Sequence, residues 1–426
     1  MQLDCKKSKL KNGARVITIP LGRTEAITAL VLVGTGSHYE PKPINGISHF
    51  LEHLFFKGSK KYTSADKIST TLDSLGASFN AFTTYEMTGY YVKVVKDNID
   101  MALDVMSDFL KNPLFDKAEI ERERGVIMEE MRMYQDIPQQ NVVNLLMQAL
   151  YDDQPAGRNI VGTKETILKV GRKDFQDYFE RQYRGDNIVL VIAGNISHAS
   201  ARKLADKFFG GLPHGNSYDK QPVLTPSRQA PYIALQTRRT DQTHFLLGFP
   251  AYNIFDKRQY AASVLATVLG GGMSSRLFTE VRGKRGLAYY VGASFDVGTD
   301  CGVLTIKAGV TNNKTEEALR ATVTELKRIK KEAVGVRELN KAKKQIEGRV
   351  FLYLETSDDI ASFYGDEELL KGEIETPQEY IKKIMRVTIG DIQSVANDVF
   401  FNKRATLALI GPHKNASLFQ NILAKL

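Results

Sequence analysis

Hydrophobic and polar positions along the chain repeat in one order, twice. Residues 89–95 and 302–308 both alternate in the manner of a half-buried strand. Each is followed by a polar turn (Lys96, Asp97 and Asn98; Thr311, Asn312 and Asn313) and then by a helical pattern. Upstream of them, the run Gly76-Ala77-Ser78-Phe79-Asn80 recurs as Gly292-Ala293-Ser294-Phe295-Asp296. Further on, the apolar runs 187–194 and 405–411 resemble one another, and each leads into a short final helix. Three ordered matches, about half a chain apart, predict a duplication into two homologous domains rather than a solenoid. The expected division is 1–213, a linker at 214–231 rich in Pro, Gly and polar residues, and 232–426. Hairpin-like strands with grouped long helices predict an α+β fold in which each domain packs a mainly antiparallel sheet with helices.

Composition narrows the class. With 426 residues, 42% hydrophobic and 25% charged, the chain is of ordinary globular make-up. No run approaches the ~18 apolar residues of a membrane span. Lys6, Lys7, Lys9 and Lys11 are not followed by an apolar core, so no secretory signal is expected. Two cysteines, Cys5 and Cys301, make no disulfide framework, and a cytoplasmic location is the expectation. The net charge is +9, and much of the excess falls in 314–349 at solvated helical spacing. No basic stripe is interleaved with stacking aromatics, so no nucleic-acid partner is expected.

Candidate chemistry concentrates in Asn45–Gly58, where Ser48 is expected to cap a helix and Gly58 to end it. On that helix His49 and His53 stand at i and i+4, so both imidazoles project from one face and can hold one Zn²⁺. Glu52 sits beside the pair, where a carboxylate can act as general base on a water at the metal. The order H-x-x-E-H reverses the commoner H-E-x-x-H and defines the inverzincin type. Among apolar neighbours, two histidines and a carboxylate need a partner, and a cation provides one. A third protein ligand is expected from the helical, Glu-rich stretch Glu121–Met133. There Glu123 and Glu130 share a face, and Glu129 points about 100° away from Glu130. Spacing alone leaves all three open, beside the plainer reading of a solvated acidic helix. Later, Gly270–Gly272 is no phosphate loop, because no G-x-x-x-x-G-K-[ST] is present; a hinge or close packing is expected instead.

These motifs, together with 10–16, 34–40, Asn80–Thr83, 121–130 and 162–167, resemble the pitrilysin/insulinase family of zinc metallopeptidases. The likeness spans nearly the whole chain and is nearest to the shorter bacterial-type members similar to the mitochondrial processing peptidase β subunit. It implies zinc held by His49, His53 and Glu130, with Glu123 supporting the site from behind and Glu52 as catalytic base. It implies that Asn80 and Ala81 lie on an edge strand that pairs with substrate backbone, which is β-augmentation. It also implies that Arg282 and Tyr289, in the R-x-x-x-G-L-A-Y element, contact substrate near the scissile bond as donors to the developing oxyanion. The expected activity is zinc-dependent endoproteolysis of short or unfolded peptides in an enclosed chamber, by a homodimer. Arg-rich presequences suit a chain of +9 less well unless the cavity is acidic. The alternative is a non-catalytic or partner-dependent scaffold subunit of the same fold, as in family members that have lost the zinc ligands. Of the remaining histidines, only His38 is a candidate for support of the site.

Overall fold

The computed structural model describes all residues except Met1, Gln2, Arg23, Asn216–Tyr218 and Pro226; the expected linker lies in part outside the described residues. Eleven strands form two sheets among the described residues. The first comprises β1 (Lys6–Lys9), β2 (Arg15–Pro20), β3 (Ala26–Val33), β4 (Ser78–Thr83), β5 (Thr88–Val95) and β6 (Ile188–Gly194). Its order is β1-β2-β6-β3-β5-β4. The second comprises β7 (Tyr232–Thr237), β8 (Gln242–Pro250), β9 (Ala288–Val297), β10 (Gly302–Thr311) and β11 (Thr406–Gly411), in the order β7-β11-β8-β10-β9. Without β1, the two orders correspond strand for strand. In each sheet one pair is parallel, β2 with β6 and β7 with β11, and the remaining pairs are antiparallel. The fold is therefore α+β with two homologous sheets, as the repeated pattern predicts.

The sequence of each strand reflects what covers it. Strands β6 and β11 are buried along their whole length, and β3 along nearly all of it, so they read as continuous apolar runs. In the first compact unit, Leu30, Leu32, Val189 and Val191 on one sheet face pack against Ile360, Ala361 and Tyr364 of the helix Ser357–Lys371. In the second, Leu246, Val303, Ala408 and Ile410 pack against Val142, Leu146 and Leu150 of the helix Pro138–Tyr151. Its opposite face carries a larger core of Phe245, Leu247, Leu304 and Ile306 under the helices Gln259–Gly270 and Thr315–Lys331.

Neither unit is continuous in sequence. One consists of residues 1–131, 159–221 and 352–376, and the other of 132–158, 222–351 and 377–426. The sequence repeat divides the chain near 213 and 232, but the layers do not follow that division. Each sheet buries one face under a helix encoded in the other half, because that face is apolar and must be covered. Among the described residues no helix is long and apolar enough to cross a membrane.

Candidate metal centre

The helix Ile47–Phe55 is set by burial on one side and by an acid at its start. Phe50, Leu51, Leu54 and Phe55 are buried, and Phe55 lies among the rings of Tyr90, Phe109, Phe115, Phe179 and Tyr183. The N-cap is Gly46, in the left-handed region at φ 96°, and not Ser48. A Cβ at Gly46 would stand 2.8 Å from the carbonyl of Val161, so only glycine fits there. Glu40, fully buried, accepts hydrogen bonds from the amides of Gly46 (2.6 Å) and Ser48 (2.8 Å) and from the Asn45 side chain (2.8 Å). Its carboxylate thus does the work expected of a Ser48 cap, satisfying donors that a helix start leaves open. Burial pushes the Glu40 carboxyl up, and these hydrogen bonds oppose it. Ser48 lies inside the first turn, with its hydroxyl 3.0 Å from that of Tyr178. The helix ends at Phe55 with Phe56 as its C-cap, before Gly58 is reached.

From this helix His49 and His53 project side by side, with ring centroids 4.8 Å apart. The second helix, Lys117–Asp136, brings Glu130 to them: its Oε2 stands 3.5 Å from Nε2 of His49 and 3.5 Å from Nε2 of His53. One ligand atom from each of the three lies within 4.8 Å of the others. Tetrahedral bonds of ~2.0–2.1 Å would set neighbouring donor atoms about 3.3 Å apart, so this donor set fits a zinc ion. Glu129 is exposed on the same helix.

Glu123, two turns before Glu130, is buried behind the pair. It accepts from Nδ1 of His53 at 3.1 Å and from Nζ of Lys57 at 2.8 Å. That contact puts the proton on Nδ1 and turns Nε2 of His53 toward Glu130. Burial alone would raise the Glu123 carboxyl, but His53 and Lys57 outweigh it and hold it below the usual range. Burial would likewise lower the His53 imidazole, yet the carboxylates of Glu123 and Glu130 carry it up to about 9. A cation competes with that proton for the same lone pair.

Glu52 lies half-buried beside the pair, and its Oε2 accepts a hydrogen bond from the hydroxyl of Thr83 at 2.5 Å. Thr83 ends β4, the outermost strand of its sheet, which also carries Asn80 and Ala81. The Asn80 side chain accepts from the Ala81 amide at 2.9 Å. His38 is buried against the ring of Tyr85 and is not one of the three donors.

Arg282 and Tyr289 belong to the other compact unit. Arg282 sits on a π-helical turn, Phe278–Gly283, with its guanidinium 4.8 Å from the centre of the Phe278 ring. Tyr289 is 74% exposed on β9. The β9–β10 register runs from Gly309 opposite Tyr290 to Val310 opposite Ala288, so Tyr289 is the extra residue of a β-bulge. Such bulges re-aim a side chain.

Three contributors escaped the sequence reading. Lys57 lies at i+4 from His53, a spacing that could have pointed to it. Glu40 stands in the quoted motif 34–40, with no role discernible there. Thr83 closes the quoted run Asn80–Thr83, but its partner is known only from the fold.

Two imidazoles one helical turn apart, a carboxylate from a second helix and a further carboxylate beside them, on a duplicated α+β fold, are features of the zinc metallopeptidase class. Residues 15–164 match the family model described as insulinase (peptidase family M16), and residues 169–346 match that of the peptidase M16 inactive domain. The chain belongs to the M16 peptidase family. It is 35% identical over 413 residues to the uncharacterized zinc protease YmxG of Bacillus subtilis, covering 96% of this chain and 99% of that one. An uncharacterized zinc protease of Rickettsia bellii is also 35% identical, over 95% of this chain and 97% of its own. The crystal structure of a protease from Helicobacter pylori has a TM-score of 0.91 at 25% identity, covering 97% of this chain and all of that one.

Proposed function

We propose that this chain is a zinc-dependent endopeptidase that cleaves short or unfolded peptides. The observation that carries the reading is the approach of Nε2 of His49 and Nε2 of His53 to Oε2 of Glu130, each at 3.5 Å. In this reading His49, His53 and Glu130 hold the metal. Glu123 fixes the His53 ring through Nδ1, and Lys57 holds Glu123. When bound, zinc supplies Lewis acidity and lowers the pKa of a water toward ~7. Glu52 takes a proton from the attacking water and returns it to the leaving amine. Asn80 and Ala81 on the edge strand β4 pair with the substrate backbone, the Asn80 side chain yielding the Ala81 amide it holds. Arg282 and Tyr289 donate to the carbonyl oxygen as negative charge develops on it. The pairing of a model named for the peptidase with one named for an inactive domain supports placing the chemistry in the first half.

The resemblance further supports a homodimer with an enclosed chamber that admits flexible polypeptides. In this reading 1–213 is the zinc-binding repeat, 214–231 the linker and 232–426 the repeat that completes the substrate site. Two cysteines, too few for a disulfide framework, support a cytoplasmic location.

The deciding experiment is cleavage of a quenched, unstructured peptide library by the purified full-length chain. Activity that a chelator removes, zinc restores and Glu52→Gln abolishes is the expected outcome. A chain that binds no metal would overturn the reading in favour of a scaffold.

A further inference from the structure

The glycine-rich turn of the second unit is gripped from two sides. Gly270 ends the helix Gln259–Gly270, and a Cβ there would stand 2.0 Å from the backbone nitrogen of Ala293 on β9. The turn therefore packs directly on the strand that carries Tyr289, which settles the choice between hinge and close packing in favour of packing. On its other side runs the helix Val336–Tyr353. Glu338, Lys341 and Gln345 fall at i, i+3 and i+7, on one face of that helix. Gln345 donates to the carbonyl of Gly271 at 2.8 Å, and Lys341 to that of Ser274 at 2.7 Å. Glu338 accepts both Nε and Nη2 of Arg276 at 2.8 Å, a bidentate pair.

Beyond Arg276 the chain enters the π-helical turn that bears Arg282, then returns through buried Leu287 to the bulge at Tyr289. Apart from the contact of Arg282 with Phe278, the side chains of Arg282 and Tyr289 make no hydrogen bond or ion pair among the described residues. Their placement depends on the backbone beneath them. A π-helical turn and a bulge are both irregular and give weak local restraint. The pair is partly buried, and such a pair adds little stability while its bidentate geometry restrains both side chains. Nη1 of Arg276 is buried with no partner among the described residues, which makes the pair a costly one to keep for stability alone.

We propose that Arg276 and Glu338 are positioning residues for peptide hydrolysis: with Lys341 and Gln345 they lock the glycine-rich turn and thereby hold Arg282 and Tyr289 toward the substrate. The proposal rests on the reading that Arg282 and Tyr289 contact substrate.

The test uses the full-length zinc-loaded protein and a quenched peptide, with kcat and KM measured separately. Arg282→Ala and Tyr289→Phe examine the underlying reading, and each is expected to lower kcat about tenfold. Glu338→Gln is expected to lower kcat about five- to tenfold, with KM within about twofold and one zinc per chain retained. In the Glu338→Gln background, Tyr289→Phe should cost little more, because both changes remove the same contribution. If Arg282→Ala and Tyr289→Phe leave kcat/KM unchanged, the substrate-contact reading falls. If they impair turnover while Glu338→Gln does not, or if the losses multiply in full, the positioning role is overturned and the reading stands. Should Glu338→Gln fail to fold, Gln345→Leu takes its place: a smaller kcat loss that likewise fails to multiply with Tyr289→Phe is expected, and no loss overturns the proposal.

Discussion

The hydroxyl of Thr83 donates to Oε2 of Glu52 at 2.5 Å, so the last residue of the edge strand β4 holds the carboxylate beside the two histidines. Strand and carboxylate are thereby fixed relative to one another within a single compact unit. With Glu52 as the general base proposed above, Thr83→Val is expected to lower kcat about tenfold while zinc content stays at wild-type level, since misaligning that base would cost rate and not metal. Thr83→Ser keeps the hydroxyl and should retain most of the activity. Steady-state kinetics beside metal analysis separates the two effects.

Glu123 links His53 to Lys57. Replacing it by Gln removes the charged partner of the His53 ring, and zinc affinity is expected to fall about 10- to 100-fold. Lys57→Met leaves the Glu123–His53 contact in place and should weaken zinc binding less. Titration against a chromophoric chelator measures both, and equal losses would contradict this ordering.

Glu40 takes up two amides and a side-chain amide at the start of the histidine helix. Glu40→Ala leaves those buried donors without their acceptor and is expected to destabilise the chain by about 3 kcal/mol. Glu40→Gln keeps one accepting oxygen and should cost less. Urea unfolding of the metal-free protein provides the comparison.

Asp366, on the helix Ser357–Lys371, has its carboxyl pushed up to about 7 by burial, with Glu367 adding to the shift. An unfolded Asp titrates near ~3.9. Between those values the folded chain holds a proton that the unfolded chain has released, so stability falls as pH rises through the window and levels off above about 7. Asp366→Asn is expected to match wild type below about pH 4 and to exceed its stability at pH 8 by on the order of 1–3 kcal/mol. Unfolding free energies at pH 5 and pH 8 test the sign; a variant no more stable than wild type at pH 8 would contradict it.

What the sequence disclosed was what depends on short range. Burial on both faces makes 187–194 and 405–411 continuous apolar runs, and the strand orders in which they sit are the same in both sheets. The i, i+4 spacing of His49 and His53 put them on one helix face before any fold was known. Choosing among Glu123, Glu129 and Glu130 needed a family likeness, because their separation depends on how two helices meet. The hydroxyl of Thr83 and the bulge at Tyr289 depend on a contact between distant segments or on strand register, and the cap by Glu40, though near in sequence, depends on how the loop before the helix folds back. None of these leaves a mark in local hydropathy. The exchange of the helices Pro138–Tyr151 and Ser357–Lys371 between layers was hidden for the same reason: nothing in the pattern of either helix says which sheet it covers.

That exchange constrains the order of synthesis. A ribosome that has released the first 213 residues has delivered every strand of the first sheet, yet the helix that closes over Leu30, Leu32, Val189 and Val191 is still untranslated. The nascent first sheet therefore waits, with an oily face open to water and to neighbouring chains, until residue 371 has left the exit tunnel. Two fragments cut at the seam the repeat suggests would each lack the helix that covers one face of its sheet, so each is expected to fold poorly without the other.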